Sequence, residues 1–147
     1  MKFLFVPLAA LTATVATTAA FAAHEMDGRN IASGEVLYGE NCASCHGAQL
    51  QGQPDWRTPD GDGILPAPPH NETGHTWHHG NAQMFTYTRL GGQLALEASG
   101  MTGFTSGMPG FSETLSDAQI WDILAFIRST WSPRIQDLNA GRNPPHS

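Results

Sequence analysis

Residues 40–50 read "ENCASCHGAQL" and contain both cysteines of the chain, Cys42 and Cys45, with His46 directly after the second. Several chemistries compete for such a cluster. A disulfide between two cysteines so close in sequence closes only a tiny loop, and because loop-closure entropy shrinks with loop size it stabilises little. A thioredoxin-like redox pair requires a strand leading into the motif and a helix starting on it. Here the order is reversed. The preceding "SGEVLYGEN", residues 33–41, places Val36, Leu37 and Asn41 at helical spacing behind Ser33 as an N-cap, so a helix is predicted to run into Cys42. A zinc site wants a second pair of ligands, and the chain has no further cysteine. A surface turn with two idle thiols is the bland alternative. The pattern that accounts for all three residues is C-x-x-C-H, the signature of covalent haem attachment.

That chemistry explains the residue types. The Cys42 and Cys45 thiols add across two haem vinyl groups from successive points on one helical turn. His46 then lies under the iron, where a neutral imidazole donates one nitrogen lone pair as proximal ligand and leaves the other ring nitrogen for a backbone carbonyl. The reading calls for a second helix and a sixth ligand. Residues 115–132, "LSDAQIWDILAFIRSTWS", open with a capping box of Ser116 and Gln119, and Leu115 and Ile120 form a hydrophobic staple. Ile120, Ile123, Leu124, Ile127 and Trp131 recur at helical spacing, and Pro133 is expected to stop the helix. A shorter helix is predicted from Asn81 to Leu90, closed by Gly91 and Gly92. No segment of any length has strand periodicity.

Between these elements, Met108 sits in a Gly-Met-Pro-Gly turn. Pro109 fixes the backbone after it, and the flanking glycines permit close approach to a flat cofactor. A thioether is a soft ligand suited to the sixth position of haem iron, while a methionine filling an apolar gap is the structural alternative. Met101, in "SGMTGF", is the competing ligand; Met84 falls within the predicted short helix.

With the helix into "NCASCHG", the "MPGF" turn and "LSDAQIWDILAFIRSTW", the chain resembles the class I c-type cytochromes, specifically their small exported bacterial members. The resemblance implies a compact all-α fold in which N- and C-terminal helices pack around one covalently attached haem. It implies thioether anchors at Cys42 and Cys45, a proximal ligand at His46 and a distal ligand at Met108. It further implies that a proline of "PAPPH", Pro68, offers its carbonyl to the proximal histidine. The chain departs from the simplest members in "LPAPPHNETGHTWHHGNAQ", which carries His70, His75, His78 and His79. Three readings of that stretch stay open. It is a polar loop over the haem edge, with histidines bonded to propionates or backbone and Trp77 on the ring; a copper or other borderline-metal site; or the source of an iron ligand, His75 or His78, in place of Met108.

At 147 residues and 40% hydrophobic content, the chain suits one small domain. Residues 1–22 read as a cleavable secretory signal, with Lys2 before an apolar run and Ala20-Phe21-Ala22 at its end; an uncleaved membrane anchor is the competing reading. The remaining 23–147 are expected to form a monohaem domain with a His-rich loop at about 64–80 and an irregular tail at about 133–147. Lys2 is the only lysine, so six arginines then face thirteen carboxylates. Scattered acidic charge excludes a nucleic-acid footprint and favours redox partners with a basic docking patch. The expectation is a soluble one-electron carrier of the periplasm rather than an enzyme, alone or as a subunit of a redox complex, with no stable membrane insertion once the signal is removed. A haem enzyme or gas sensor with a labile Met108, and a copper-handling protein using the His-rich loop, are the alternatives.

Overall fold

The computed structural model describes residues 25–143. Among them lie six helices: α1 (Ile31–Asn41), α2 (Ala43–His46), α3 (Asn81–Leu90), α4 (Gly92–Ala98), α5 (Asp117–Ser129) and α6 (Pro133–Ala140), with one 3-10 turn at Thr76–His78. No strand occurs among the described residues; an isolated parallel bridge joins Ile64 to Thr105. The proposed signal segment, residues 1–22, lies outside the described residues, as do 144–147 of the proposed tail.

The core is built on α5. Both halves of its capping box form: the Gln119 N–H donates to the Ser116 hydroxyl, and the Gln119 side chain accepts the Ser116 N–H at 2.9 Å. These bonds satisfy two groups that a helix start otherwise leaves bare, worth about 1 kcal/mol. Leu115 and Ile120 are both buried in the same cluster, with Ile123, Leu124, Ile127 and Trp131 behind them. Each such side chain taken fully from water contributes about 1.5–3 kcal/mol. The helix is shorter than the sequence suggests, ending at Ser129 with Thr130 as C-cap.

The most extensive interhelical contact is between α1 and α5. A glycine makes it possible. A β-carbon on Gly34 would lie 2.1 Å from the Asp122 carbonyl oxygen and 2.9 Å from the Phe126 Cβ, so the two backbones touch where no larger residue fits. The start of α1 differs from expectation: Asn30, not Ser33, is the N-cap, and its side chain accepts the Ser33 N–H at 3.0 Å. Ser33 is thus the residue being capped.

Two further corrections concern the chain just beyond a helix end. The pair Gly91-Gly92 closes α3 where predicted, but Gly91, at φ +85°, only turns the chain, and Gly92 begins α4. The segment expected to be an irregular tail from 133 instead forms α6, with Pro133 in its first turn. Proline's fixed φ and missing N–H suit that position as well as they suit a stop. Asn139 secures α6. It is 1% exposed, and its amide donates to the Trp77 carbonyl at 3.1 Å and the His79 carbonyl at 2.9 Å.

Candidate haem site

The C-x-x-C-H motif occupies one turn at the end of α1. The Cys42 N–H donates to the Tyr38 carbonyl at 2.8 Å, closing α1, and the Cys42 carbonyl accepts from Cys45 at 3.2 Å and His46 at 2.9 Å. Gly47, at φ +82°, then reverses the chain. Glycine suits that φ, where an L side chain is strained, and a β-carbon would also displace the end of the Gln51 side chain. Both cysteines are free thiols, Cys45 exposed and Cys42 half-buried. Burial, aided by the neighbouring Cys45, pushes the Cys42 thiol up to about 11, so at neutral pH it is protonated. That is the opposite of a low-pKa redox nucleophile.

His46 is 7% exposed, and its Nδ1 lies 2.8 Å from the Pro68 carbonyl oxygen. A carbonyl can only accept, so Nδ1 carries the proton and Nε2 keeps its lone pair. Burial lowers the His46 pKa, and the Pro68 carbonyl opposes that shift. The net effect favours the neutral form. The loop that brings Pro68 here is tied down at both ends: the Gly52 N–H donates to the His46 carbonyl at 2.7 Å, and the Leu50 carbonyl accepts from His70 at 2.9 Å and Asn71 at 3.1 Å. Gly52, at φ +69°, lies so close to the proline pair that a β-carbon would meet the Pro69 nitrogen at 2.4 Å. The Tyr38 hydroxyl donates to the Gly47 carbonyl at 2.9 Å, and burial raises its pKa.

Met108 is placed by a different part of the chain. Its carbonyl accepts the Gly92 N–H at 3.0 Å and its N–H donates to the Ser106 hydroxyl at 3.3 Å. The "MPG" turn thereby seats on the α3–α4 corner, where a β-carbon on Gly91 would fall 2.6 Å from the Gly110 nitrogen and 3.0 Å from the Met108 carbonyl oxygen. Met108 is half-buried, whereas Met101 is 46% exposed at the end of α4 and Met84 is a core residue. Among Met84, Met101 and Met108, only Met108 is neither exposed nor committed to the core.

The His-rich loop folds on aromatic contacts. His75 stacks on Trp56 with centroids 5.1 Å apart and meets the edge of His79 at 5.2 Å, while His78 lies against Trp77 at 3.6 Å. Among the described residues, no group of three or more His, Cys, Asp or Glu is arranged to hold a metal ion. The His70 ring also stacks on His46, with centroids 3.9 Å apart and planes at 22°. Its Nδ1 is 2.8 Å from the Thr76 hydroxyl, and its carbonyl accepts the Trp131 indole N–H at 2.8 Å. Burial first, then His46 and His75, holds its pKa well below the ordinary value. Sequence reasoning assigns Trp131 to the core and gives no role to Thr76; nothing local marks either as a partner of His70.

The residues present fit a covalently held haem: two unpaired thiols on one turn, and beside them an imidazole whose lone-pair nitrogen is selected by the Pro68 carbonyl. No curated protein and no solved structure matches the chain. The family model described as cytochrome c matches residues 31–131, from the first residue of α1 to the tryptophan that reaches back to His70. A match over that span takes in the attachment turn, the Pro68 loop, the Met108 turn and α5, and the chain therefore belongs to the cytochrome c family, whose haem is covalently bound.

Proposed function

We propose that this protein is a one-electron carrier of the cell envelope, with Cys42 and Cys45 as thioether anchors and His46 and Met108 as the two axial ligands. The observation that carries the reading is the 2.8 Å contact from His46 Nδ1 to the Pro68 carbonyl, which fixes the tautomer and points the other ring nitrogen to a ligating role. When bound, the haem supplies a ferric–ferrous couple tuned by its axial ligands. His46 and Met108 would hold the group from separate elements, and Met108 would keep water and small ligands from the iron. A closed sixth position is what separates a carrier from a peroxidase or a gas sensor. Scattered carboxylates, thirteen against six arginines, suit a redox partner with a basic docking patch. Periplasmic location rests on reading residues 1–22 as an export signal.

Carbon monoxide binding by the reduced protein tests this. The parent should bind poorly, Met108→Ala readily, and Met101→Ala like the parent. Equal binding by the parent and Met108→Ala refutes the closed-site carrier and supports a sensor or enzyme. Opening by Met101→Ala leaves the carrier in place and transfers the ligand assignment.

A further inference from the structure

A hydrogen bond fixes one atom of the His46 ring. A carbonyl accepts over a broad range of directions, so the ring can still pivot about its Nδ1 contact without losing the bond. The face of His70 blocks that pivot, 3.9 Å away and within 22° of parallel.

His70 is itself immobilised. Its N–H donates to the Leu50 carbonyl at 2.9 Å, and its carbonyl is held by Trp131, just past the end of α5. The Thr76 hydroxyl lies 2.8 Å from His70 Nδ1 and 3.3 Å from the Pro69 carbonyl oxygen, and the shorter contact holds the ring in one orientation. The supporting turn is close-packed: a β-carbon on Gly74 would fall 2.0 Å from the Pro69 carbonyl oxygen. Backbone, ring and hydroxyl are thus all committed, so the wall facing His46 does not adapt to it.

We propose that His70 is a positioning residue for the proximal ligand: its fixed imidazole sets the plane of the His46 ring over the haem. The proposal rests on His46 being the axial ligand. It explains the residue type, since the site takes a small flat ring with a nitrogen that the Thr76 hydroxyl can hold, which an aliphatic side chain does not supply. The plane of an axial imidazole governs how unpaired spin spreads over the ferric haem, so the role has a signature distinct from stability.

The test uses the haem-loaded protein and paramagnetic proton NMR of its ferric form, with unfolding temperature recorded in parallel. His70→Leu removes the flat face, His70→Phe keeps a flat face without the Thr76 bond, and Thr76→Val frees the ring while retaining its bulk. His70→Leu should rearrange the pattern of haem-methyl shifts, His70→Phe should remain nearer the parent, and Thr76→Val should broaden or displace the same resonances. A His70→Leu protein that unfolds at lower temperature yet keeps the parent's methyl pattern overturns the proposal, leaving His70 as packing alone. Should His70→Leu fail to fold, the same pattern in Thr76→Val decides, and an unchanged one overturns it. A parent without hyperfine-shifted signals from isotope-labelled His46 overturns the ligand assignment; a parent with them and unresponsive variants overturns the positioning role only.

Discussion

Gly34→Ala should loosen the whole molecule from a position that touches no cofactor ligand. The added β-carbon would sit 2.1 Å from the Asp122 carbonyl oxygen and 2.6 Å from its carbon. Ordinary contact needs about 3.4 Å, so α1 and α5 must separate by about 1 Å locally, and the obstacle is backbone that cannot rotate away. Overpacking of this kind costs about 1–3 kcal/mol, and a rigid obstacle places it near the top of that range. The better helix propensity of alanine returns about 1 kcal/mol. A net loss of about 2 kcal/mol is expected, lowering the unfolding temperature by about 8 °C for a domain of this size. Gly39→Ala is the internal control. It lies in the same helix with nothing within 4 Å of its would-be β-carbon, so it should gain up to about 1 kcal/mol. Thermal unfolding of the two holoproteins, followed by circular dichroism, reads the difference. If both substitutions stabilise equally, the backbone-to-backbone crossing of α1 and α5 is wrong.

Ser116→Ala removes the hydroxyl that accepts the Gln119 N–H and should cost about 1 kcal/mol in denaturant unfolding, with Ser116→Asp close to the parent; no loss would refute the capping assignment. Asn139→Ala strips the Trp77 and His79 carbonyls of their partner and should cost about 1–3 kcal/mol, with faster amide exchange in α6. An unchanged exchange profile would mean that α6 docks without it. Burial lowers the pKa of His70, His75 and His79 from the ordinary 6.5, so the folded state binds fewer protons than the unfolded. Their contribution is complete above about 6.5 and is lost as pH falls through the depressed values. The unfolding temperature should therefore drop between pH 7 and pH 5, less so in a His75→Gln, His79→Gln double variant. A flat profile in the parent would contradict the buried placement of the loop.

The sequence spoke clearly where one local signal had one structural meaning. Asn81–Leu90 is helical with the expected bounds, because Gly91 behind it turns the chain at positive φ. Ser116 with Gln119 is a capping box because the pair occupies the first turn before an apolar stripe. The same kinds of residue misled where the signal is two-sided. Gly91 caps α3 and α5 stops at Ser129, short of Pro133, yet Gly92 opens α4 and Pro133 opens α6, and neither residue says whether another helix begins. Asn30 and Ser33 are both good caps, and their rank depends on which one the chain reaches first with extended backbone, a choice that α5 influences through the Asp122 carboxylate on the Asn30 N–H at 3.2 Å.

The site divides along the same line. The C-x-x-C-H spacing of Cys42, Cys45 and His46 is legible because it lies within five residues, and the structure keeps the three on one turn. The groups that hold His46 still come from elsewhere: Pro68 is 22 residues away, and the Trp131 that anchors His70 is 61 residues from it. No periodicity encodes such distances. They arise because Gly52 and Gly74 let the 68–76 loop press onto the attachment turn and onto itself, bringing a carbonyl and an imidazole face to the same ring. A ligand held by groups with no freedom left needs little rearrangement when the charge beside it changes by one. The multi-histidine stretch that departs from the simplest cytochromes thus gives His70 to the ring of His46, the proposed proximal ligand, while His75, His78 and His79 pack among Trp56 and Trp77. On the proposed ligation, a substitution at His70 should be felt at the iron before one at His78 is.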